Sequence, residues 1–175
     1  MGQSGGGKPL LLPPDVTPDH VLGLVELLHS LGGRVDSMHI GDAISEDVRF
    51  LPHAIDVAEA LGLIVQREGN LELTDLGRRV AEANPKTVRE LLRRVSSKLE
   101  PIRSIVERLE EKGEMLAEEF MEHLQRCYSS DFERAMQNVL SWGAFLGLFK
   151  MDEDDERVLP IRPAERKRAR GGPRA

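Results

Sequence analysis

One cysteine, Cys127, in 175 residues cannot close an internal disulfide, so the sequence reads as that of a protein at home in a reducing compartment. Aromatic residues are as scarce. Five Phe, one Trp and one Tyr make up 4% of the chain, too few for the stacking platforms that grip single-stranded nucleic acid. No apolar run approaches the roughly 18 residues of a membrane-spanning helix, and the mean hydropathy is −0.33. Residues 1–8 lack the apolar stretch of a secretion signal, and Gly6 stands where a myristoylation motif wants Ser or Thr. These absences point to the cytoplasm. What is present, 40% hydrophobic and 31% charged residues, suffices for one ordinary domain, or two very small ones, with a sizeable core.

The net charge of −6 conceals an uneven distribution. Residues 152–156 are all acidic, whereas Arg162, Arg166, Lys167, Arg168, Arg170 and Arg174 stand against Glu165 alone. Such runs read as a solvated loop and a disordered end.

Order is expected to begin near Thr17, after a flexible leader over residues 1–16 that ends in Leu-Leu-Leu-Pro-Pro. Thr17 is a fitting N-cap with Pro18 at the first helical position, and Val21, Leu24, Val25 and Leu28 share one helical face up to Gly32-Gly33. A short helix is expected around 38–44, and a third through Leu51, Ala54, Ala58 and Leu61. Two β-prone runs, 63–67 and 71–74, flank Glu68-Gly69-Asn70 and read as a hairpin, with Thr74 capping the next helix. Asn84-Pro85 opens a helix striped by Val88, Leu91, Leu92, Val95 and Leu99. Beyond Pro101 come helices bearing Ile102, Ile105, Val106 and Leu109, then Leu116, Phe120, Leu124 and Cys127, then, capped by 129–131, Phe132, Met136 and Val139. A second hairpin follows Gly147.

Shifting the chain by 85 residues lays Ser45-Glu46 on Ser130-Asp131 and Leu61-Gly62-Leu63-Ile64 on Leu146-Gly147-Leu148-Phe149. These are equivalent punctuation points, and they predict an internal duplication. The expected architecture is mainly α with small β-hairpins, two winged-helix-like units packed through a connecting helix. Its segments are a leader (1–16), a first unit (17–83), the connecting helix (84–101), a second unit (102–161) and a basic disordered tail (162–175).

Catalytic patterns fail on context. Gly2, Gly7 and Lys8 satisfy part of a phosphate-binding loop, but Pro9 replaces the magnesium-holding Ser or Thr and no strand precedes the glycines. Glu119, His123 and Cys127 share one helical face, yet the other histidines, His20, His29, His39 and His53, show no complementary spacing. Cys127 continues an apolar stripe and reads as a small hydrophobe. The sequence therefore assigns no catalytic residue, no cofactor and no metal.

A winged helix invites the question of DNA binding. The first candidate recognition helix offers Asp47, Arg49, His53, Asp56 and Glu59, whose carboxylates oppose phosphates. The second offers the nearly neutral Glu133, Arg134, Gln137, Asn138 and Ser141, but its wing tip is the acidic run. Positive charge collects at Arg78, Arg79, Lys86, Arg89, Arg93, Arg94 and Lys98, the nucleic-acid-binding set if the chain is a winged-helix transcriptional regulator.

The order Leu-Gly-Leu-Ile-Val, then Leu-Glu-Leu-Thr-Asp-Leu-Gly-Arg-Arg, then Ser-Trp-Gly-Ala-Phe-Leu-Gly-Leu-Phe-Lys-Met-Asp, resembles the AAA-associated C-terminal domain of nitrate, sulfonate and taurine type ABC transporter ATPases. The resemblance covers about residues 17–161; the family usually has Tyr where Met151 stands. It implies a non-catalytic regulatory or interaction module, here without the ATPase domain it normally follows. Its partner would be an ABC-type ATPase or permease subunit, reached at the membrane periphery without insertion. Trp142, Phe145, Leu148 and Phe149 would form either the second core or the partner contact, the core being favoured for a lone Trp among apolar neighbours. A structural homo-oligomer is a third class.

Overall fold

The computed structural model describes residues 8–43 and 51–170. They are mainly helical, with small sheets. The order is β1 (Leu10–Leu11), α1 (Pro18–Ser30), β2 (Arg34–Asp36), α2 (Ser37–Ala43), α3 (Leu51–Ala60), β3 (Ile64–Arg67), β4 (Asn70–Leu73), α4 (Asp75–Glu82) and α5 (Pro85–Val95). A short 3-10 turn then leads to β5 (Leu99–Glu100), α6 (Ile102–Lys112), β6 (Met115–Leu116), α7 (Ala117–Cys127), α8 (Phe132–Leu146), β7 (Phe149–Met151), β8 (Arg157–Pro160) and α9 (Pro163–Arg170).

Local chemistry explains most of these boundaries. At α1 the Thr17 hydroxyl accepts from the His20 N–H at 3.2 Å while His20 Nδ1 accepts from the Thr17 N–H at 3.1 Å, a reciprocal cap. Thr74 Oγ1 accepts from the Gly77 N–H at 2.9 Å, and Asn84 Oδ1 from the Thr87 N–H at 2.9 Å. Glu68 and Gly69 both carry positive φ, 55° and 83°, as a two-residue hairpin between Arg67 and Asn70 requires. Asp131, expected to cap α8, does not: it lies in the left-handed region at φ 56° and its side chain makes no capping bond.

One succession occurs twice: α1, β2, α2, α3, β3, β4, α4 and then α6, β6, α7, α8, β7, β8, α9. Each half holds a three-stranded antiparallel sheet of like order, β2-β4-β3 and β6-β8-β7. The recurrence extends to single hydrogen bonds. Gly62 and Gly147 end their helices with φ 82° and 71°; the next residue donates back five positions, Leu63 N–H to the Ala58 carbonyl and Leu148 N–H to the Gly143 carbonyl, both at 2.9 Å. Of the two matches at the 85-residue shift, the Ser45-Glu46 side lies outside the described residues.

Three segments depart from expectation. The connecting helix expected over 84–101 ends at Val95, and Leu99, read as part of its stripe, lies in β5 where it pairs with Leu10. The leader is built into the structure from residue 10 onward: β1 pairs in parallel with β5, and Leu12 and Val16 are fully buried. Apolar side chains in this stretch have a core to enter, which outweighs the looseness that the glycines before them suggested. The tail is helical over α9 rather than disordered, because its position matches that of α4, immediately after a hairpin, and Arg166 docks on α8. The buried side chains form one continuous cluster from Leu12 to Val158, shared by both halves.

Candidate interaction surface

Helix α8 is the hub. Ala135, Val139, Trp142 and Leu146 turn one face into the core, and Gly143 lets the fully buried Phe149 ring lie against the helix backbone, where a Cβ would stand only 2.3 Å from a ring carbon. A second face is taken by residues 10–16, which cross it as a strap. Trp142 Nε1 donates to the Val16 carbonyl at 2.8 Å, and Asn138 Nδ2 donates to the carbonyls of Val16 at 2.8 Å and Pro13 at 3.1 Å. Tyr128 Oη donates to the Leu12 carbonyl at 2.6 Å. Burial pushes the Tyr128 phenol well above its ordinary pKa, so it stays a donor throughout the neutral range.

The four residues expected to form core or partner contact divide accordingly. Trp142 and Phe149 are fully buried and take the core role, so neither offers surface to a partner. Phe145 and Leu148 are half-buried at the edge of the same cluster. Phe145 meets the Trp142 ring edge-on, centroids 6.4 Å apart at 83°, and carries the Arg89 guanidinium 5.3 Å above its other side.

The basic stretch is not one surface. Arg78 pairs with Asp75 at 3.4 Å on α4, where Arg79 is exposed. On α5, Lys86, Arg89 and Arg93 follow helical spacing along one side, while Arg94 is exposed and Lys98 half-buried beyond the helix. Arg93 Nη1 donates to the Leu146 carbonyl at 2.8 Å, and Arg166 Nε to the Gly147 carbonyl at 2.6 Å. Two guanidiniums thus meet the negative end of α8, whose last carbonyls have no helical partner. Beside them lie two adjoining hollows of about 160 and 100 Å³, which share Arg89 and Phe145 and together form a groove. Leu22, Val25, Val80 and Val88 wall the larger one.

The two candidate recognition helices are only partly engaged. Asn138 is spent on the strap, and Arg134, Gln137 and Ser141 border an open hollow whose opposite wall is Pro14, Asp15 and Thr17. On α3, His53 approaches Asp15 at 3.6 Å, Glu59 accepts from Gln66 at 3.1 Å, and Asp56 is exposed; Asp47 and Arg49 lie outside the described residues. In the acidic loop Asp152 Oδ1 accepts the Glu156 N–H at 2.8 Å, so the first carboxylate shapes the turn.

The residues once weighed as metal ligands are otherwise engaged. Glu119 pairs with Arg108, His123 Nε2 is hydrogen-bonded to Ser104 Oγ at 2.8 Å, and Cys127 is half-buried beside the core. Burial, aided by Arg126, lowers the His123 pKa, and burial raises that of the Cys127 thiol. Among the described residues no group of three or more His, Cys, Asp or Glu is arranged to hold a metal, and no helix is long and apolar enough to cross a membrane.

Sequence reasoning missed the strap and its donors Tyr128 and Asn138. The signal was there in Leu10, Leu11, Leu12 and Val16, apolar residues in a stretch read as leader.

Helices and two small antiparallel sheets around a shared core, with an arginine-edged groove beside α8, define a small helical module. The model of the C-terminal AAA-associated domain family matches residues 38–152, and the chain belongs to that family. Comparison with curated proteins and with solved structures found no match.

Proposed function

We propose that the protein is a non-catalytic regulatory module that associates with the ATPase of an ABC-type importer of the nitrate, sulfonate and taurine class, at the cytoplasmic side of the membrane. Membership of the C-terminal AAA-associated family supports association with an ATPase. The importer class rests on the resemblance of the Leu-Thr-Asp-Leu-Gly and Trp-Gly-Ala-Phe-Leu-Gly segments. Each half is read as a winged helix, residues 17–83 and 102–161 joined by 84–101; the recurring order of strands and helices supports this. The observation that carries a protein-binding role over a DNA-binding one is the strap. It takes Asn138, one of the polar residues a recognition helix at α8 would offer, through the carbonyls of Pro13 and Val16, and the β7–β8 wing beside it carries the acidic run 152–156; Glu133, Arg134, Gln137 and Ser141 stay exposed.

Affinity purification of the full chain from native membranes, under mild detergent, tests the reading. Recovery of an ABC-type ATPase subunit is the expected result, and its absence counts against the proposal. A filter-binding titration with duplex DNA separates the regulator alternative: affinity that falls steeply with rising salt would favour it.

A further inference from the structure

We infer that the groove between α1, α4, α5 and α8 is a docking site for an amphipathic segment of a partner protein. Such a segment would set apolar side chains against the half-buried Leu22, Ala81 and Phe145 and carboxylates against Arg89. This deepens the proposed function and rests on it only for the partner's identity; the chemistry of the groove stands on its own geometry.

The two hollows adjoin, with Arg89 and Phe145 bordering both. Their characters differ. The larger has apolar walls from four helices, with Glu26 as its carboxylate. The smaller gathers the guanidiniums of Arg89, Arg93 and Arg166, and the carboxylate bordering it, Glu165, is already bonded to Lys150 Nζ at 3.2 Å and to the Arg162 N–H at 2.9 Å. Arg89 itself lies over Phe145, and among the described residues no carboxylate is paired with it. A guanidinium stacked on an aromatic ring keeps its outward N–H donors in one plane, the geometry that receives a carboxylate bidentately. The groove therefore asks for an apolar side chain and an acidic one in neighbouring helical turns. That pattern is how an amphipathic helix seats in a shallow groove. The charge order adds direction, since a cation is favoured at the Glu26 end and anions at the Arg89 end.

The test uses the full chain and two fluorescein-labelled helical peptides of about 14 residues. Both carry Leu along one face; one has Asp and Glu in the turn beside the last Leu, and its twin has Lys there. Fluorescence anisotropy should show the acidic peptide binding at least about tenfold more tightly than the twin, with Arg89→Glu removing that advantage and Arg89→Lys, which keeps the charge but not the planar fork, retaining only part of it. Thermal melting of each variant checks that the fold is intact. Equal affinity for the two peptides, or an acidic preference undiminished in a folded Arg89→Glu protein, overturns the inference. Purification from membranes then tells the two readings apart. An ATPase recovered equally well by wild type and Arg89→Glu leaves the association standing and removes the groove from it. Acidic-peptide selectivity without any recovered ATPase leaves the groove standing and removes the proposed partner.

Discussion

Replacing Gly77 by alanine should destabilise the protein although alanine is the better helix former. Gly77 sits in the first turn of α4, where the helix passes directly over the backbone of the Leu61–Ile64 corner. A Cβ built there would lie 2.0 Å from the Leu63 carbonyl oxygen, 3.0 Å from its carbon and 3.1 Å from Leu73 Cδ2. The helix or the corner must retreat by about 1 Å to reach ordinary contact. Neither is free to do so: the same oxygen accepts the Thr74 N–H at 3.0 Å, Thr74 Oγ1 donates to the Gly62 carbonyl at 2.5 Å, and that hydroxyl caps α4 through the Gly77 N–H at 2.9 Å. Overpacking of this kind costs roughly 1–3 kcal/mol and loss of the cap about 1 more, against a helix-propensity gain of about 1. The net expectation is a loss of about 1–3 kcal/mol, or roughly 2–12 °C in Tm for a chain of this length. Gly23, exposed on α1 with nothing within 4 Å of its Cβ position, is the control. Gly23→Ala should raise stability by up to about 1 kcal/mol. Urea denaturation followed by far-UV circular dichroism measures both. If Gly77→Ala unfolds within about 0.5 kcal/mol of wild type, the close approach is not what holds this position to glycine.

Two further outcomes test the strap. Leu12→Ala empties a fully buried site and should cost about 2–5 kcal/mol, with the whole protein still unfolding in one transition; two separated transitions would show that the halves do not share their core. Tyr128→Phe leaves the Leu12 carbonyl without the phenol that meets it at 2.6 Å, a loss of about 1–2 kcal/mol at neutral pH. Because the folded phenol's pKa is raised above the unfolded value of about 10, the wild type's advantage is complete below pH 10 and is lost above it, at up to about 1.4 kcal/mol per pH unit. Denaturation of wild type and variant at pH 8 and pH 11 should show the gap closing; a gap that widens with pH would refute the assignment.

Elements governed by neighbours in sequence were legible. Thr17-Pro18, Thr74 and Asn84-Pro85 mark the starts of their helices because a capping side chain and a proline act within one turn, and Glu68-Gly69 marks its hairpin because few residue pairs accept two positive φ values. Strands β1 and β5 were not legible. Each has two residues, and their parallel pairing depends on a partner far along the chain. Strands β2 and β6 were hidden for the same reason, each being the third member of a sheet whose other two strands form the hairpin. Helix α9 was read as tail because its composition is dominated by charge, and only its place after β8 says otherwise. As for the candidate surface, Trp142, Phe145, Leu148 and Phe149 read alike in sequence as core or partner contact, and only packing separates the buried Trp142 and Phe149 from the half-buried other two; Arg89, read as part of a nucleic-acid stretch, lies over Phe145. The motifs that carry the family resemblance include Gly77 and Gly143, both sites where a side chain would collide with a packed neighbour. Part of what makes the sequence recognisable is therefore close packing rather than chemistry.

The strap also sets a timetable for synthesis. Ribosomes make the chain from the N-terminus, so Leu12 and Val16 exist well before Tyr128, Asn138 and Trp142, the residues that fasten them. At ordinary elongation rates the interval is on the order of ten seconds. During that time α1, α3 and the first hairpin have all their own parts and can assemble, while the strap's apolar side chains wait for a surface still being polymerised. A segment made early is thus secured late, and a chaperone that shields short apolar stretches on nascent chains would meet 10–16 well before the residues that fasten it exist.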